Sequence, residues 1–271
     1  MKNWYWRWWI SIVFGSLFIV FVVSQGIFAQ QIVPIPAGEF RPSAASQPGS
    51  RLQMDESQWT ILQPRPEVAM PPLLFPESPG LLSSIEGINF DEDAANSSAF
   101  HIPPDPSGAA GPNHVVSAVN TSIEWFTKAG VNQHSGSLAD FFSSVSPQTN
   151  TFDPKVLYDQ YNNRFVVVTL ERVDSPRRSR IFVAVSDDSD PNGTWYFLDI
   201  DSKLTIGGSE TWADYPGLGV SAEAVYITAN MFSFFPGTFE GSRLWIIDKT
   251  GFYSGGAAVV NMYDPSTAAS L

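Results

Sequence analysis

Apolar runs separated by turn residues dominate the second half of the chain. Three such runs follow one another at residues 164–170, 180–185 and 194–201. They are rich in β-branched and aromatic residues, which suit a pleated and half-buried surface. The last two runs meet at residues 189–193, where Asp, Asn and Gly favour a hairpin turn. The pattern predicts a meander of antiparallel strands.

Two further pairs of strand-like runs repeat this arrangement, one at residues 114–126 and the other at 224–247. Each of the three units is preceded by an Asp/Pro element, namely Asp105-Pro106, Asp153-Pro154 and Asp214-Tyr215-Pro216. Offsets of about 50 and about 60 residues between equivalent points fit one four-stranded sheet per unit. The sequence therefore predicts an all-β fold, a partial β-propeller of about three four-stranded antiparallel units. A β-sandwich is the alternative, because strand counts alone do not separate the two folds.

Residues 1–29 have the pattern of an exported protein's leader. Lys2 and Arg7 precede a long uncharged run, and Ala29 supplies a small residue for cleavage, as in a secretory signal peptide. The run over 8–29 also reaches the ~20 apolar residues that span a bilayer, so an uncleaved N-terminal membrane anchor is the alternative. Both interpretations place the rest of the chain outside the cytoplasm and confine membrane contact to residues 8–29.

Residues 30–86 differ in composition from the repeat region. They contain 10 of the chain's 21 prolines and show no apolar period of a helix or strand. Because proline removes backbone donors and blocks regular structure, we predict a largely disordered linker here and a β-propeller-like domain over 87–271. Since closure of a propeller takes ~4 to 8 blades, three units also predict a domain truncated at its C-terminus.

The amino-acid composition and net charge exclude some classes of binding partner. A net charge of -12, from 27 acidic and 15 basic residues, excludes the basic footprint that nucleic-acid binding needs. The chain has no cysteine, so neither disulfides nor thiolate chemistry contributes. The expected partner is a carbohydrate or protein ligand.

Several motifs in the repeat region resemble a group of uncharacterised secreted bacterial β-propeller-like proteins. The matching stretches are GINF (87–90), PPDPSGAAGPNH (103–114), DPKVLYDQ (153–160), AVS (184–186), DPNGTW (190–195) and DYPGLGV (214–220). The resemblance covers roughly residues 87–260. It implies export and a propeller-like fold, and it supplies no catalytic residue.

The turn that follows residue 187 carries the clearest candidate for a metal site. Asp188, Asp190 and Asn192 place oxygen ligands at alternate positions, with Gly193 sixth and Asp199 twelfth. This spacing resembles a calcium loop, where carboxylate and amide oxygens wrap one Ca²⁺ ion. A purely structural turn is the alternative interpretation.

The same turn resembles a degenerate Asp-box, the hairpin motif of sialidase-like propellers. Asp190, Thr194 and Trp195 stand in register with that motif, and Asn192 replaces its glycine. In the motif the Asp and Thr tie the turn together while the Trp packs between strands. The Asp-box resemblance implies a propeller-like fold and does not imply a catalytic activity.

Carboxylates at the ends of predicted strands leave an enzymatic function open. A glycosidase needs two carboxylates about 5 to 9.5 Å apart. Sequence spacing does not show which two of the candidates would meet, and these are Asp153, Asp159, Glu171, Glu210 and Asp214. The sequence therefore predicts an exported or cell-surface binding or scaffold module without enzymatic activity. The alternative is a secreted glycan-acting hydrolase of the sialidase-like propeller type.

Overall fold

The computed structural model describes residues 27–30, 33–36 and 84–265. The strands in chain order are β1 (Ile27–Gln30), β2 (Val33–Pro36), β3 (Ser107–Ala110), β4 (His114–Val119), β5 (Ser122–Thr127), β6 (Asn132–Ser137), β7 (Phe152–Asp159), β8 (Arg164–Asp174), β9 (Arg177–Ser186), β10 (Thr194–Asp201), β11 (Leu204–Ile206), β12 (Ser209–Val220), β13 (Ala224–Ser233), β14 (Phe239–Asp248) and β15 (Ala258–Tyr263). The helices are α1 (Phe90–Ser97), α2 (Leu138–Phe141), the 3₁₀ helix η1 (Ser143–Val145) and α3 (Lys249–Phe252).

Three antiparallel sheets confirm the predicted fold class. Blade 1 is the meander β3-β4-β5-β6, and blade 2 is the meander β7-β8-β9-β10 with β2 added outside β10. Blade 3 is the meander β12-β13-β14-β15, flanked by β11 and β1. The chain is therefore a partial propeller with three four-stranded units, as the repeat predicts.

Blade 2 is buried on both faces, between blade 1 and blade 3. Consecutive residues of β8 alternate between two cores: Val166 and Val168 belong to the core shared with blade 3, and Phe165 and Val167 to the core shared with blade 1. Because neighbouring side chains of a strand point to opposite faces, a strand covered on both sides reads as an unbroken apolar run. This arrangement explains the continuous run that begins at Phe165.

The first strands of the three blades lie side by side. β7 contacts β3 on one side and β12 on the other. The hydroxyl of Ser107 in β3 accepts a hydrogen bond from the backbone N–H of Val156 in β7 at 2.9 Å. These inner strands line the axis about which the blades are arranged, as inner strands of a propeller do.

Helix α1 covers the outer face of blade 1. It begins with a capping box, in which the Asn89 side chain accepts backbone N–H groups and the Glu92 carboxylate accepts the N–H of Asn89. Its buried Asp93 accepts hydrogen bonds from the hydroxyls of Thr121 at 2.9 Å and Ser122 at 2.6 Å. The helix is thereby fixed to the turn between β4 and β5.

Two short strands fall in ranges for which the sequence predicts a leader or a disordered linker. β1 pairs with β15, and β2 pairs with β10 in the register Thr194↔Pro36 to Phe197↔Val33. Pro34 and Pro36 do not prevent this pairing, because they lie two residues apart, on one side of the backbone, and an edge strand needs donors on only one side. Residues 84–86 of the linker are described and lie in neither a helix nor a strand, and the rest of the leader and linker lies outside the described residues. No described helix is long and apolar enough to cross a bilayer.

Candidate functional site

One strained backbone position recurs in all three blades. Asp105, Asp153 and Tyr215 each directly precede a proline, and their φ angles are 42°, 51° and 48°. Positive φ is uncommon for residues other than glycine, and a following proline favours extended backbone instead. Such strain costs about 1–3 kcal/mol per residue and clusters at functional sites. The place where these three strained residues meet is therefore a candidate functional site.

The residues at or beside these positions converge at the axis. The side chain of Asp153 in blade 2 lies close enough to Asp105 of blade 1 and Asp214 of blade 3 for both carboxyls to raise its pKa. The backbone N–H of Tyr215 donates to Asp153 Oδ2 at 3.2 Å. Asn120 accepts the N–H of Asp153 at 2.6 Å through its Oδ1 and donates to Asp105 Oδ2 at 2.7 Å through its Nδ2. We call these five residues the axial cluster, and Asp153 links all three blades within it.

The axial cluster binds a proton more tightly than an ordinary aspartate does. Burial raises the pKa of Asp153 to about 7, and the hydrogen bond with Asp105 and the negative charges of Asp214 and Asp105 act in the same direction. Burial also raises the pKa of Asp214. Because these carboxyls interact, their protons are lost in steps that belong to the group as a whole.

The raised pKa of Asp153 makes folding stability depend on pH. The native state holds this proton more tightly than the unfolded state, whose pKa is near the ordinary 3.8. The resulting contribution to stability is complete below that value and is lost as the pH rises through about 7.

Aromatic and cationic side chains surround the axial cluster on the end of the propeller that carries the connections between blades. The ring of Tyr215 is 62% exposed, and Lys155 Nζ lies 4.7 Å from its centroid. The guanidinium of Arg172 lies 4.4 Å from the Trp212 ring centroid and 5.4 Å from that of Phe234. We call this region the axial face: Tyr215 is exposed, Lys155 and Arg172 are partly exposed, and Trp212 and Phe234 are buried.

The loop between β13 and β14 contributes Phe234 to the axial face, and its two phenylalanines have different environments. Phe234 is buried against Arg172, whereas Phe235 is 80% exposed. Phe234 of this loop therefore packs against its neighbours, whereas the ring of Phe235 is accessible.

The structure brings together three of the four predicted calcium ligands. Asp188, Asp190 and Asn192 lie in the turn between β9 and β10, where Asp190 Oδ1 accepts hydrogen bonds from the backbone and side-chain N–H groups of Asn192 at 3.0 and 2.7 Å. Asp199 lies within β10, five residues after its first residue, and thus about 17 Å along the strand. Its carboxylate accepts a hydrogen bond from Arg180 at 3.0 Å.

Within the described ranges no group of three or more acidic, histidine or cysteine side chains is arranged to hold a metal ion. Calcium binding at the turn stays a prediction from the sequence.

The β9–β10 turn also joins blades 1 and 2. The Asn192 side chain accepts a hydrogen bond from the indole N–H of Trp125 at 2.9 Å, and Trp195 donates its own to the carbonyl of Pro191 at 2.9 Å. Trp125 and Trp195 are both buried, with ring centroids 6.2 Å apart. The turn side chains thus serve the contact between blades, and the Asp-box resemblance stays a prediction.

Of the acidic residues considered as catalytic candidates, Asp153 and Asp214 meet at the axis. The other three are engaged in separate ion pairs: Asp159 with Lys249, Glu171 with Arg180, and Glu210 with Arg177 and Lys203. Sequence reasoning missed Asp105 and Asn120. Alignment of the Asp/Pro elements across the repeat would have identified Asp105, because equivalent positions on inner strands face one axis.

Comparison with known proteins gives one weak structural likeness and no match in sequence. No family model matches the sequence, and no curated protein matches it. Among solved structures the chain is similar to one described as a thermostable family-43 glycoside hydrolase, at 11% identity over 60% of this chain and 90% of that chain, with a TM-score of 0.26. A likeness this low carries no statement about site or activity.

Proposed function

We propose that this chain is an exported, non-enzymatic binding module that takes a neutral glycan chain at the axial face. The observation that carries the proposal is the convergence of three strained pre-proline positions on the axial cluster. Strain of this kind is retained where function requires a fixed geometry, since the fold must offset its cost elsewhere. The leader pattern of residues 1–29 supports a location outside the cytoplasm.

The chemistry of the axial face favours a neutral, hydroxyl-rich ligand. Carboxylates at Asp105 and Asp214 accept hydrogen bonds from hydroxyl groups, and the exposed ring of Tyr215 offers an apolar surface for the face of a sugar ring. A net charge of -12 repels acidic glycans. Most ligand sites combine an apolar wall with a few convergent polar groups in this manner.

Substitution of Tyr215 tests the proposal. We expect isothermal titration calorimetry of the full chain against a panel of neutral oligosaccharides to detect binding, and Tyr215→Ala to weaken it tenfold or more. Tyr161→Ala is the matched control, because Tyr161 is similarly exposed in the turn between β7 and β8, at the opposite end of the propeller. Binding of an acidic polyuronate in preference, or equal losses in the two variants, would contradict the proposal.

A glycan-acting hydrolase is the second candidate, and one observation favours it. Asp153 is a carboxyl with a raised pKa beside other carboxyls, an arrangement that suits a general acid. Asp153 and Asp214 interact directly at the axis, whereas the carboxyls of a glycosidase stand ~5 to 9.5 Å apart on either side of a sugar-binding site. If the wild type releases reducing ends from the same oligosaccharides and Asp153→Asn does not, the chain is a hydrolase and not a binding module.

A further inference from the structure

Lys155 reaches from blade 2 towards blade 3 at the axial face. It stands opposite Val168 in the pairing of β7 with β8, and Val168 belongs to the core shared with blade 3. Because residues directly opposite each other on antiparallel strands share a face, the Lys155 side chain projects towards blade 3. Its Nζ lies 4.7 Å from the centroid of the Tyr215 ring. The contact therefore places a positive charge on the exposed ring of the axial face.

The Lys155 ammonium differs from the neighbouring Arg172 guanidinium in its partner. Arg172 pairs with the carboxylate of Asp174 at 2.8 Å. None of the ion pairs between described residues includes Lys155, although Asp153 precedes it closely in β7. The aromatic ring of Tyr215 is therefore the partner that holds this ammonium in place.

An exposed aromatic ring close to carboxylates provides the environment of a site for organic cations. The face of such a ring is negative and attracts an ammonium group within about 6 Å of its centre. Asp214 directly precedes Tyr215 in the chain, and Asp153 and Asp105 lie close to Asp214 at the axis. Without Lys155, the electrostatics of the axial face would favour an organic cation over a neutral ligand.

Lys155 itself supplies the cation that this environment favours. Its ammonium is tethered to β7, so it stays beside the ring at every ligand concentration. A second cation on Tyr215 would have to displace Lys155 or lie beside a like charge, and either one lowers its affinity. A neutral sugar meets neither cost, and the N–H groups of the ammonium can donate to its hydroxyl oxygens.

We infer that Lys155 determines the specificity of the axial face: its ammonium occupies the cation position on the Tyr215 ring and excludes cationic ligands from a site that neutral sugars can enter. This inference rests on the proposed function, because it concerns which ligands the same site admits.

An NMR titration of the full chain with tetramethylammonium chloride, in a non-ionic detergent, tests this exclusion. The signals of the Tyr215 ring, assigned by their loss in Tyr215→Leu, report binding, and a parallel titration with sodium chloride corrects for ionic strength. We expect Lys155→Met to bind tetramethylammonium about fivefold more tightly than the wild type, the effect of one cation–ring contact at an exposed site. Lys155→Arg keeps the positive charge and is expected to behave as the wild type.

Lys128→Met is the matched control, because Lys128 is exposed in the turn between β5 and β6 of blade 1. It removes the same charge away from the ring and is expected to leave the affinity for tetramethylammonium unchanged. An affinity in Lys155→Met no higher than in the wild type would overturn the inference. An equal rise in Lys128→Met would also overturn it, because the effect would then come from net charge. Lys155→Gln provides a second uncharged variant should Lys155→Met fail to fold.

Neutral oligosaccharides titrated into the same variants separate this inference from the proposed function. We expect the wild type and Lys155→Met both to bind them, because the Tyr215 ring remains. If Lys155→Met gains affinity for tetramethylammonium while the wild type binds no neutral oligosaccharide, the proposed function is wrong and the exclusion of cations by Lys155 stands. If the wild type binds neutral oligosaccharides and Lys155→Met gains no affinity for tetramethylammonium, the inference about Lys155 alone is wrong.

Discussion

We expect Lys249→Met to lower the free energy of unfolding by about 3–5 kcal/mol, the cost of breaking a buried ion pair. Lys249 is 4% exposed, and its Nζ lies 2.5 Å from Oδ2 of the fully buried Asp159. The ammonium also donates to Asn162 Oδ1 at 3.1 Å and to the carbonyl of Ser221. Removal of the ammonium leaves the Asp159 carboxylate without its cation, because its remaining partners are the Tyr253 hydroxyl at 2.8 Å and a backbone N–H. The pair joins blade 2 to blade 3, so its loss acts on the contact between blades.

Urea denaturation of three variants checks this result. Adding Asp159→Asn to Lys249→Met removes the orphaned charge, and we expect the double variant to recover part of the lost stability. Lys203→Met is the matched control, because Lys203 forms an ion pair with Glu210 in which both side chains are partly exposed, and such pairs contribute about 0–1 kcal/mol. A loss in Lys249→Met no larger than in Lys203→Met would show that this pair does not hold the two blades together.

Arg180→Met should have a comparable effect at the contact between blades 1 and 2. Arg180 and Glu171 are both buried, and the guanidinium Nε lies 2.6 Å from Glu171 Oε2. Arg180 also donates to the carbonyls of Val145 at 3.1 Å and Ser146 at 2.9 Å, in the connection that leads from blade 1 to blade 2. The Glu171 carboxylate accepts the backbone N–H of Thr149 from the same connection at 3.0 Å. Arg180→Met leaves the buried Glu171 carboxylate without its cation and removes the donor to two carbonyls. We therefore again expect the free energy of unfolding to fall by about 3–5 kcal/mol.

Arg178→Met is the control that separates the loss of the Arg180 hydrogen bonds from the general effect of removing one positive charge. Arg178 lies two residues earlier in β9 and is partly exposed, and we expect its loss to cost less than about 1 kcal/mol. Chemical denaturation of both variants measures the difference. Similar stabilities for Arg178→Met and Arg180→Met would contradict the assignment of Arg180 as the group that fixes the connection.

The architecture could be predicted from the sequence because each blade repeats a local signal. The strand-like run from Phe165 and the turn at residues 189–193 specify a meander without knowledge of distant contacts. The short elements between blades lacked such a signal. Helix α2 has four residues, too few for a helical period, and it forms where Leu138 and Phe141 enter the core between blades 1 and 2.

The axial cluster could be predicted only in part. The Asp/Pro elements were visible in the sequence, but their convergence depends on how the inner strands of three blades face one axis, which is a tertiary property. Asn120 carried no signal at all, since it lies in the turn after β4 and reaches Asp153 through its side chain. Spacing alone predicts Asp199 as a calcium ligand, whereas its place within β10, where Arg180 donates a hydrogen bond to it, depends on tertiary structure.

A titration of Asp153 tests most directly whether carboxyls from three blades meet at one axis. Carboxyl carbon chemical shifts followed by NMR from acid to neutral pH, assigned by their loss in Asp153→Asn, report the protonation of this side chain. We expect a midpoint near 7 for Asp153, and a raised pKa of Asp214 that changes when Asp153 is replaced. A single step near the ordinary value of 3.8, unaffected by substitution of Asp214, would show that the three carboxyls do not meet.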